Sequence, residues 1–263
     1  MSLVEELLAL PLPAAPVREV AVGVRWTAVL AGTDPPRLGL AASLAPTPGT
    51  GPLPDLAELI GRDARELVAW LRRPGPPWTS VGMAALNALL PVDPARCREE
   101  NAERILLARG AGRRVVVVGH FPFTERLRAA AARCDVLELR PRPGDLPAAA
   151  APDVLPGADV VALTGTSLLN HTADRLLALC RPDALVLMLG ASTPLAPVLL
   201  DRGVDLLCGT LVTDPVAALA AARLGAGFRR IPGRRPVVMG RETREGPREP
   251  PRPLGPAGTP PGT

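Results

Sequence analysis

The chain predicts an α/β fold, a mostly parallel sheet domain preceded by a small α+β domain, and three observations carry that expectation. Four apolar runs, Val115–Val118, Val160–Leu163, Leu185–Leu189 and Val204–Leu207, have the length and uniform hydrophobicity of strands buried on both faces. Each is followed by a glycine beside a hydroxyl or other small polar group: Gly119-His120, Thr164-Gly165-Thr166, Gly190-Ala191-Ser192-Thr193 and Cys208-Gly209-Thr210. Helical stretches separate the runs, and in parallel α/β sheets the carboxyl ends of the strands border the ligand crevice. The polar punctuation therefore outlines a small-molecule site.

The first hundred residues read differently. Val17–Ala31 is rich in β-formers, Asp34-Pro35-Pro36 is a turn, and Arg37–Ala45 returns as a second strand. After a Pro/Gly loop, Asp55 is placed to cap a helix running through Leu71, where Leu56, Leu59, Ile60, Leu67 and Leu71 keep near-helical spacing. Ser80 is placed to cap a helix over Val81–Leu90, and Pro94–Ala108 reads as a third helix that Gly110 ends.

From there strand, loop and helix alternate. A helix is expected over Thr124–Arg133, a strand over Val136–Leu139, and a Pro/Ala-rich connection over Arg140–Pro156. A helix from Asn170 or Thr172 to Cys180 follows Val160–Leu163. Thr193 is expected to cap a short helix with Pro194 at its first position and Gly203 at its end. Asp214 and Pro215 open the last helix, and Gly225 closes it. Val237–Met239 is expected as a sixth strand at an edge. The expected organisation is a first domain over 1–110, a sheet domain over 111–240, and a Pro/Gly-rich tail over 241–263 too poor in apolar surface to order.

Composition narrows the function. The chain has 263 residues, 47% of them hydrophobic, and no apolar run approaches the ~20 residues that span a bilayer. Glu5 and Glu6 stand where a secretory signal would be basic, so cytoplasmic residence and no membrane partner are expected. All 30 basic residues are arginine, which excludes a lysine Schiff base. The net charge is +4, but Pro215–Thr263 alone carries nine arginines against three glutamates. With three Phe, three Trp and no Tyr, a base-stacking platform beside a basic groove is not expected, and nucleic acid is not the expected partner. Cys97, Cys134, Cys180 and Cys208 are scattered without a CxxC pair, so they read as reduced packing thiols.

The turns carry the chemistry. A dinucleotide fingerprint needs GxGxxG after the first strand, but Gly119-His120-Phe121-Pro122 supplies one glycine, and Pro122 removes a backbone donor. A standard NAD site is not expected. Glu138 ends the second strand where an acidic side chain can hold ribose hydroxyls, or it pairs with Arg140 or Arg142. His120 can act as ligand, base or donor at the crevice, or be satisfied by backbone, and it is the one metal-ligand candidate. His171 reads as a capping or surface residue. Two histidines and four scattered cysteines give no metal-ligand spacing. Thr164, Thr166 and Asn170, then Gly190, Ser192 and Thr193, then Gly209 and Asp214 form hydroxyl-rich turns that either bind a ligand or cap helices. No Ser-His-Asp order or nucleophile elbow is present.

The stretches Ser80-Val81-Gly82-Met83-Ala84-Ala85-Leu86-Asn87-Ala88, Val117-Val118-Gly119-His120-Phe121-Pro122, Val136-Leu137-Glu138, Thr164-Gly165-Thr166 with Asn170, Gly190 to Leu195, and Gly209 to Asp214 resemble, in order and spacing, a family whose label proposes heavy-metal chelation, DUF364, with its amino-terminal partner domain DUF4213. The resemblance spans about residues 5 to 240. It implies an enolase-amino-terminal-like domain joined to a Rossmann-like domain, with a site in the cleft between them and Ser80 and Asn87 near the strand ends. The family's Gly-Pro-Ser-Thr-Pro turn is Gly-Ala-Ser-Thr-Pro here. The expected ligand-binding set is thus Ser80, Asn87, Gly119, His120, Phe121, Glu138, Thr164, Thr166, Asn170, Gly190, Ser192, Thr193, Gly209 and Asp214. The expected ligand is a small organic molecule, a metal ion or a metal chelate, and a homo-oligomer is compatible with the chain. The competing expectation is a Rossmann-like enzyme acting on a nucleotide, pterin or S-adenosylmethionine-type ligand.

Overall fold

The structure is a computed structural model, and it describes residues 1–241. The expected tail therefore lies outside the described residues except for Arg241, whose Nε donates to the Leu200 carbonyl at 3.0 Å.

Helix α1 (Leu3–Leu8), whose amino end Ser2 Oγ caps by accepting from the Glu5 amide, leads into strands β1 (Val17–Val22), β2 (Trp26–Ala31) and β3 (Arg37–Ala42). These form a three-stranded antiparallel sheet in the order β1-β2-β3. The β-rich stretch Val17–Ala31 is thus two strands, because Gly23-Val24-Arg25 turns the chain between them. The long helix expected from Asp55 to Leu71 is broken. Asp55 caps a single 3-10 turn, Leu56–Leu59, and Asp63 caps α2 (Ala64–Val68). Between them the backbone is recruited by β1: the Gly61 amide donates to the Val17 carbonyl and the Val17 amide to Arg62, at 2.8 and 2.7 Å. Gly61 reaches that position at φ +83°, which ends any helix.

Helix α3 (Trp78–Leu89) begins a turn earlier than expected, with Pro77 as its cap. Ser80 is therefore not a capping residue; it lies inside the first turn, with 1% of its surface exposed. Ten of the twelve α3 residues are buried, since the helix is sandwiched between β2 and β3 on one side and α2 on the other. The third expected helix is also divided. A 3-10 turn over Pro94–Arg96 and strand β4 (Cys97–Arg98) precede α4 (Ala102–Gly110), which Asn101 caps.

The large sheet contains β5 (Arg114–Val118), β6 (Arg133–Glu138), β7 (Leu146–Pro147), β8 (Val160–Thr164), β9 (Leu185–Leu189), β10 (Leu206–Val212) and β11 (Arg234–Gly240). Its helices are α5 (Thr124–Ala130), α6 (Ala151–Val154), α7 (Ala173–Leu179), α8 (Val198–Asp201) and α9 (Pro215–Arg223). The strand order is β4-β11-β10-β9-β8-β5-β6-β7, parallel from β10 to β7 and antiparallel at β11 and β4. The mostly parallel α/β class expected from the apolar runs is the observed one.

Several assignments in this sheet differ from expectation. Strand β6 starts at Arg133, inside the stretch expected as helix, because Arg114 through Val118 pair with Arg133 through Leu137. The last parallel strand runs to Val212, because β11 pairs with it antiparallel along its whole length, from Leu206↔Gly240 to Val212↔Arg234. Cys208-Gly209-Thr210 is therefore strand interior and not a turn. That same pairing places β11 one strand inward from the edge, with β4 outside it. Thr193 caps no helix; the following helix starts at Val198 with Pro197 at its cap. The last helix is as expected: Asp214 Oδ1 accepts from the Ala217 amide at 3.0 Å, and Gly225 follows at φ +66°.

One hydrophobic cluster runs through both halves of the chain. It joins Leu7, Leu67, Met83, Leu86 and Leu89 to Leu163, Met188, Leu199 and Met239. Among the described residues no helix is long and apolar enough to cross a membrane.

Candidate functional site

The chain leaves β5 outward to β6, then crosses back to β8 on the other side of β5, so the order β10-β9-β8-β5-β6 reverses direction between β5 and β8. Two successive crossovers that diverge leave a crevice at the carboxyl ends of those strands, the usual ligand position in an open α/β sheet. A cavity of about 480 Å³ lies there, within the range of small-molecule sites. A second depression, of about 110 Å³, opens beside Arg114 and Arg133, at the opposite ends of the strands.

The β5 turn supplies Gly119, His120 and Phe121 to the cavity. Gly119 takes φ +96°, and a Cβ there would stand 3.1 Å from the Thr164 Cβ, so the two strand ends approach closely only because this residue is glycine. Phe121 stacks on Phe123 with ring centroids 5.2 Å apart and an interplanar angle of 8°. The Phe121 amide donates to Thr124 Oγ1 at 3.2 Å, and that hydroxyl donates to the Phe121 carbonyl at 2.7 Å. The loop is thus held by the Thr124 hydroxyl as well as by the turn that Gly119 makes.

The β8 turn supplies Thr164, Thr166 and Asn170. The two threonine hydroxyls lie 3.0 Å apart, and Thr164 Oγ1 accepts from the Thr166 amide. Asn170 Oδ1 accepts from the Thr172 amide and hydroxyl at 3.3 and 2.7 Å, which leaves its Nδ2 without a partner among the described residues. Glu138, at the end of β6, also lines the cavity; its Oε1 accepts from the Leu139 amide at 2.9 Å. It does not pair with Arg140 or Arg142.

Two lining or supporting residues escape a reading of the sequence. Arg175 on α7 faces the cavity, is exposed, and has no ion pair or hydrogen bond among the described residues. Asp145, from the Pro/Ala-rich connection, places Oδ2 3.2 Å from His120 Nδ1 with none of its side chain exposed. Its Oδ1 accepts from Arg128 at 2.8 Å, and the Arg142 amide donates to Oδ2 at 3.1 Å. Burial raises the carboxyl's pKa, but the Arg142 amide, His120 and Arg128 together outweigh it and hold the group below its ordinary value. Twenty-five residues separate His120 from Asp145, and only the local Pro143-Gly144 turn hinted at an ordered segment there.

The remaining expected residues lie outside this cavity. Ser80 Oγ and Thr193 Oγ1 are buried without hydrogen-bond partners. Asn87 Nδ2 donates to the Leu40 and Ala191 carbonyls at 2.9 and 3.2 Å, stitching β3 to the Gly190 turn. Ser192 Oγ accepts from the Ala42 amide at 2.8 Å and is 2% exposed. Gly190 turns at φ +113°, while Gly209 lies under Leu195 and Asp214 caps α9. The first half of the chain contributes Leu44 to the cavity lining. His171, at φ +58°, donates Nε2–H to the Leu71 carbonyl at 2.9 Å and so links the two halves.

The donor chemistry does not fit a metal held by the protein alone. Among the described residues no group of three or more His, Cys, Asp or Glu side chains could hold an ion. Burial pushes the Cys134 and Cys180 thiols to about 11 and Cys208 to about 12, and it raises Cys97 as well. The four thiols are free and none belongs to a group of three or more such donors among the described residues.

Comparison with known proteins gives two family matches. Residues 101–238 match the profile of DUF364 and residues 5–90 that of DUF4213, both described as "Putative heavy-metal chelation". No curated protein matches. Among solved structures, a DUF364-family protein of unknown function from Desulfitobacterium hafniense is 26% identical, with TM-score 0.75; the match covers 90% of this chain and 96% of that one. A second DUF364-family protein of unknown function, from Pyrococcus horikoshii, is 20% identical over the same shares with TM-score 0.74, a likeness of fold.

Proposed function

The chain belongs to the DUF364 family, and from that premise we propose that it binds a small organic anion in the cavity between the carboxyl ends of β5 and β8. The observation that carries this reading is the coincidence of that cavity with the sheet's reversal point. Phe121, Leu139 and Leu176 give it an apolar lining for a flat ring, and Arg175 offers an uncompensated positive charge to an acidic group. The Asn170 amide and the Thr166 hydroxyl supply polar contacts that fix orientation.

A role in heavy-metal handling is compatible with this reading in one form: the metal arrives already held by an organic chelator. The scattered thiols and the lack of a three-donor cluster among the described residues argue for that form over direct chelation by side chains. Glu138 favours a second reading, a Rossmann-like enzyme acting on a nucleotide, pterin or S-adenosylmethionine-type ligand. Its carboxylate lines the cavity at the strand end where ribose hydroxyls are held in such folds.

Thermal-shift and calorimetric titrations with pterin-6-carboxylate, AMP, S-adenosylmethionine, zinc citrate and zinc chloride test both. Stabilisation by an organic anion, weakened in Arg175→Gln, is the result expected of the first reading, and stabilisation by AMP, pterin or S-adenosylmethionine that is weakened in Glu138→Gln is that of the second. Stabilisation by zinc chloride alone and its loss in His120→Ala would replace the proposal with a protein-borne metal site. No stabilisation by any of the five would remove the cavity as a ligand site.

A further inference from the structure

We infer that Asp145 is a positioning residue that locks His120 in the Nδ1–H tautomer, so that His120 Nε2 meets the cavity as a hydrogen-bond acceptor and selects organic anions carrying an N–H or O–H donor. The ligand class deepens the cavity reading and rests on it; the tautomer does not. Three observations carry it. A carboxylate can only accept, so the 3.2 Å contact between Asp145 Oδ2 and His120 Nδ1 requires the proton on Nδ1. The carboxylate is itself fixed, fully enclosed, by Arg128 on its other oxygen and by the Arg142 amide. His120 Nε2 has no partner among the described residues, although the ring is only 19% exposed and lines the cavity. An oriented imidazole with one nitrogen satisfied and the other bare is the arrangement by which a second residue sets the role of a histidine. The other charged groups at the cavity are Glu138 and Arg175, and neither bonds to His120.

The chain holds one other histidine, and it must be the opposite tautomer. His171 Nε2 faces the Leu71 carbonyl, which accepts only, so its proton sits on Nε2.

Long-range proton–nitrogen correlation spectra of the full chain, recorded over a pH series, read which nitrogen of each ring carries the proton. Comparison with His171→Gln assigns the signals. The expected spectrum has His120 protonated at Nδ1 and His171 at Nε2. His120 protonated at Nε2, or averaging between forms as a free imidazole does, would overturn the inference. Binding of pterin-6-carboxylate adds a second test, because a glutamine amide oxygen can stand near the place of Nε2 whereas asparagine reaches only that of Nδ1. His120→Gln should keep affinity within about threefold and His120→Asn should lose about tenfold. Equal losses in both would refute the acceptor role. The spectrum needs no ligand, so failure of every organic anion to bind would sink the proposed function and leave the tautomer assignment to be judged by the spectrum.

Discussion

Two strand-end turns of this sheet look alike in sequence and do opposite work. The turn after β9, Gly190-Ala191-Ser192-Thr193, and the turn after β8, Thr164-Gly165-Thr166, both follow a buried strand and both carry hydroxyls beside a glycine. The first is sealed: Ser192 takes the Ala42 amide, Asn87 bridges Ala191 to Leu40, and Ser192 and Thr193 are each 2% exposed. The second is open: Thr166 and the Asn170 amide face a cavity with bonding capacity to spare. The difference lies in what crosses above. Strand β3 covers the β9 turn, whereas the reversal of strand order leaves a crevice at the ends of β5 and β8. Polar residues at strand ends thus mark either a ligand or another sheet.

The contrast can be broken most forcefully at Gly165, the glycine of the open turn, which packs against Ser192 and Thr193 of the sealed one. A Cβ there would stand 2.6 Å from Thr193 Oγ1 and 2.7 Å from the Thr193 amide nitrogen, with little room for either to retreat. Gly165→Ala should cost about 2–3 kcal/mol in denaturant unfolding. Asn87→Ala should come next, at about 2 kcal/mol, because it leaves two carbonyls, of Leu40 and Ala191, without their donor. Asn87 does not line the cavity, so the folded Asn87→Ala variant should retain the wild-type titration curve. Among the cavity residues the order inverts. Glu138→Gln and Arg175→Gln should change stability by no more than about 0.5 kcal/mol, while each weakens pterin-6-carboxylate binding about tenfold. A large stability loss there would mean that those side chains support packing after all.

The smallest effect is expected at Cys208, whose carbonyl accepts from the Gly190 amide beside the sealed turn. Burial raises this thiol to about 12, so the folded state favours its neutral form. Its contribution to stability is complete below the unfolded thiol's value of about 8.5 and is lost as pH rises towards 12. At pH 8 iodoacetamide should leave Cys208 untouched in the native chain over hours, measured by mass spectrometry. Rapid labelling would show that the sealed region opens locally.

Much of the sheet was legible because its signals are local. Val115–Val118 and Leu185–Leu189 announce burial on both faces by composition alone, and Asp214-Pro215 announces a helix start by capping chemistry within four residues. What escaped depends on partners distant in the chain. Nothing near Gly209 tells that β11, some 25 residues later, extends β10 past it. Nothing near Gly61 tells that β1 will claim its backbone. Within the site, Gly119, His120, Phe121, Glu138, Thr164, Thr166 and Asn170 do converge on one cavity. Ser80, Asn87, Ser192 and Thr193 could not be told from them, because a hydroxyl or amide beside a glycine carries no mark of what will cover it. Asp145 was missed because a lone acid in a proline-rich connection gains meaning only from the imidazole it meets.

The cluster that joins Leu7 and Met83 to Leu163 and Met188 has a consequence for how the molecule comes apart. Heat applied to either half strips apolar cover from the other, and the Leu3 amide held by the Asp174 carboxylate ties the first turn of the chain to a helix 171 residues away. Calorimetry should therefore record one endotherm whose van't Hoff and measured enthalpies agree. In such a chain the cavity cannot survive as a folded remnant after the amino-terminal sheet has melted.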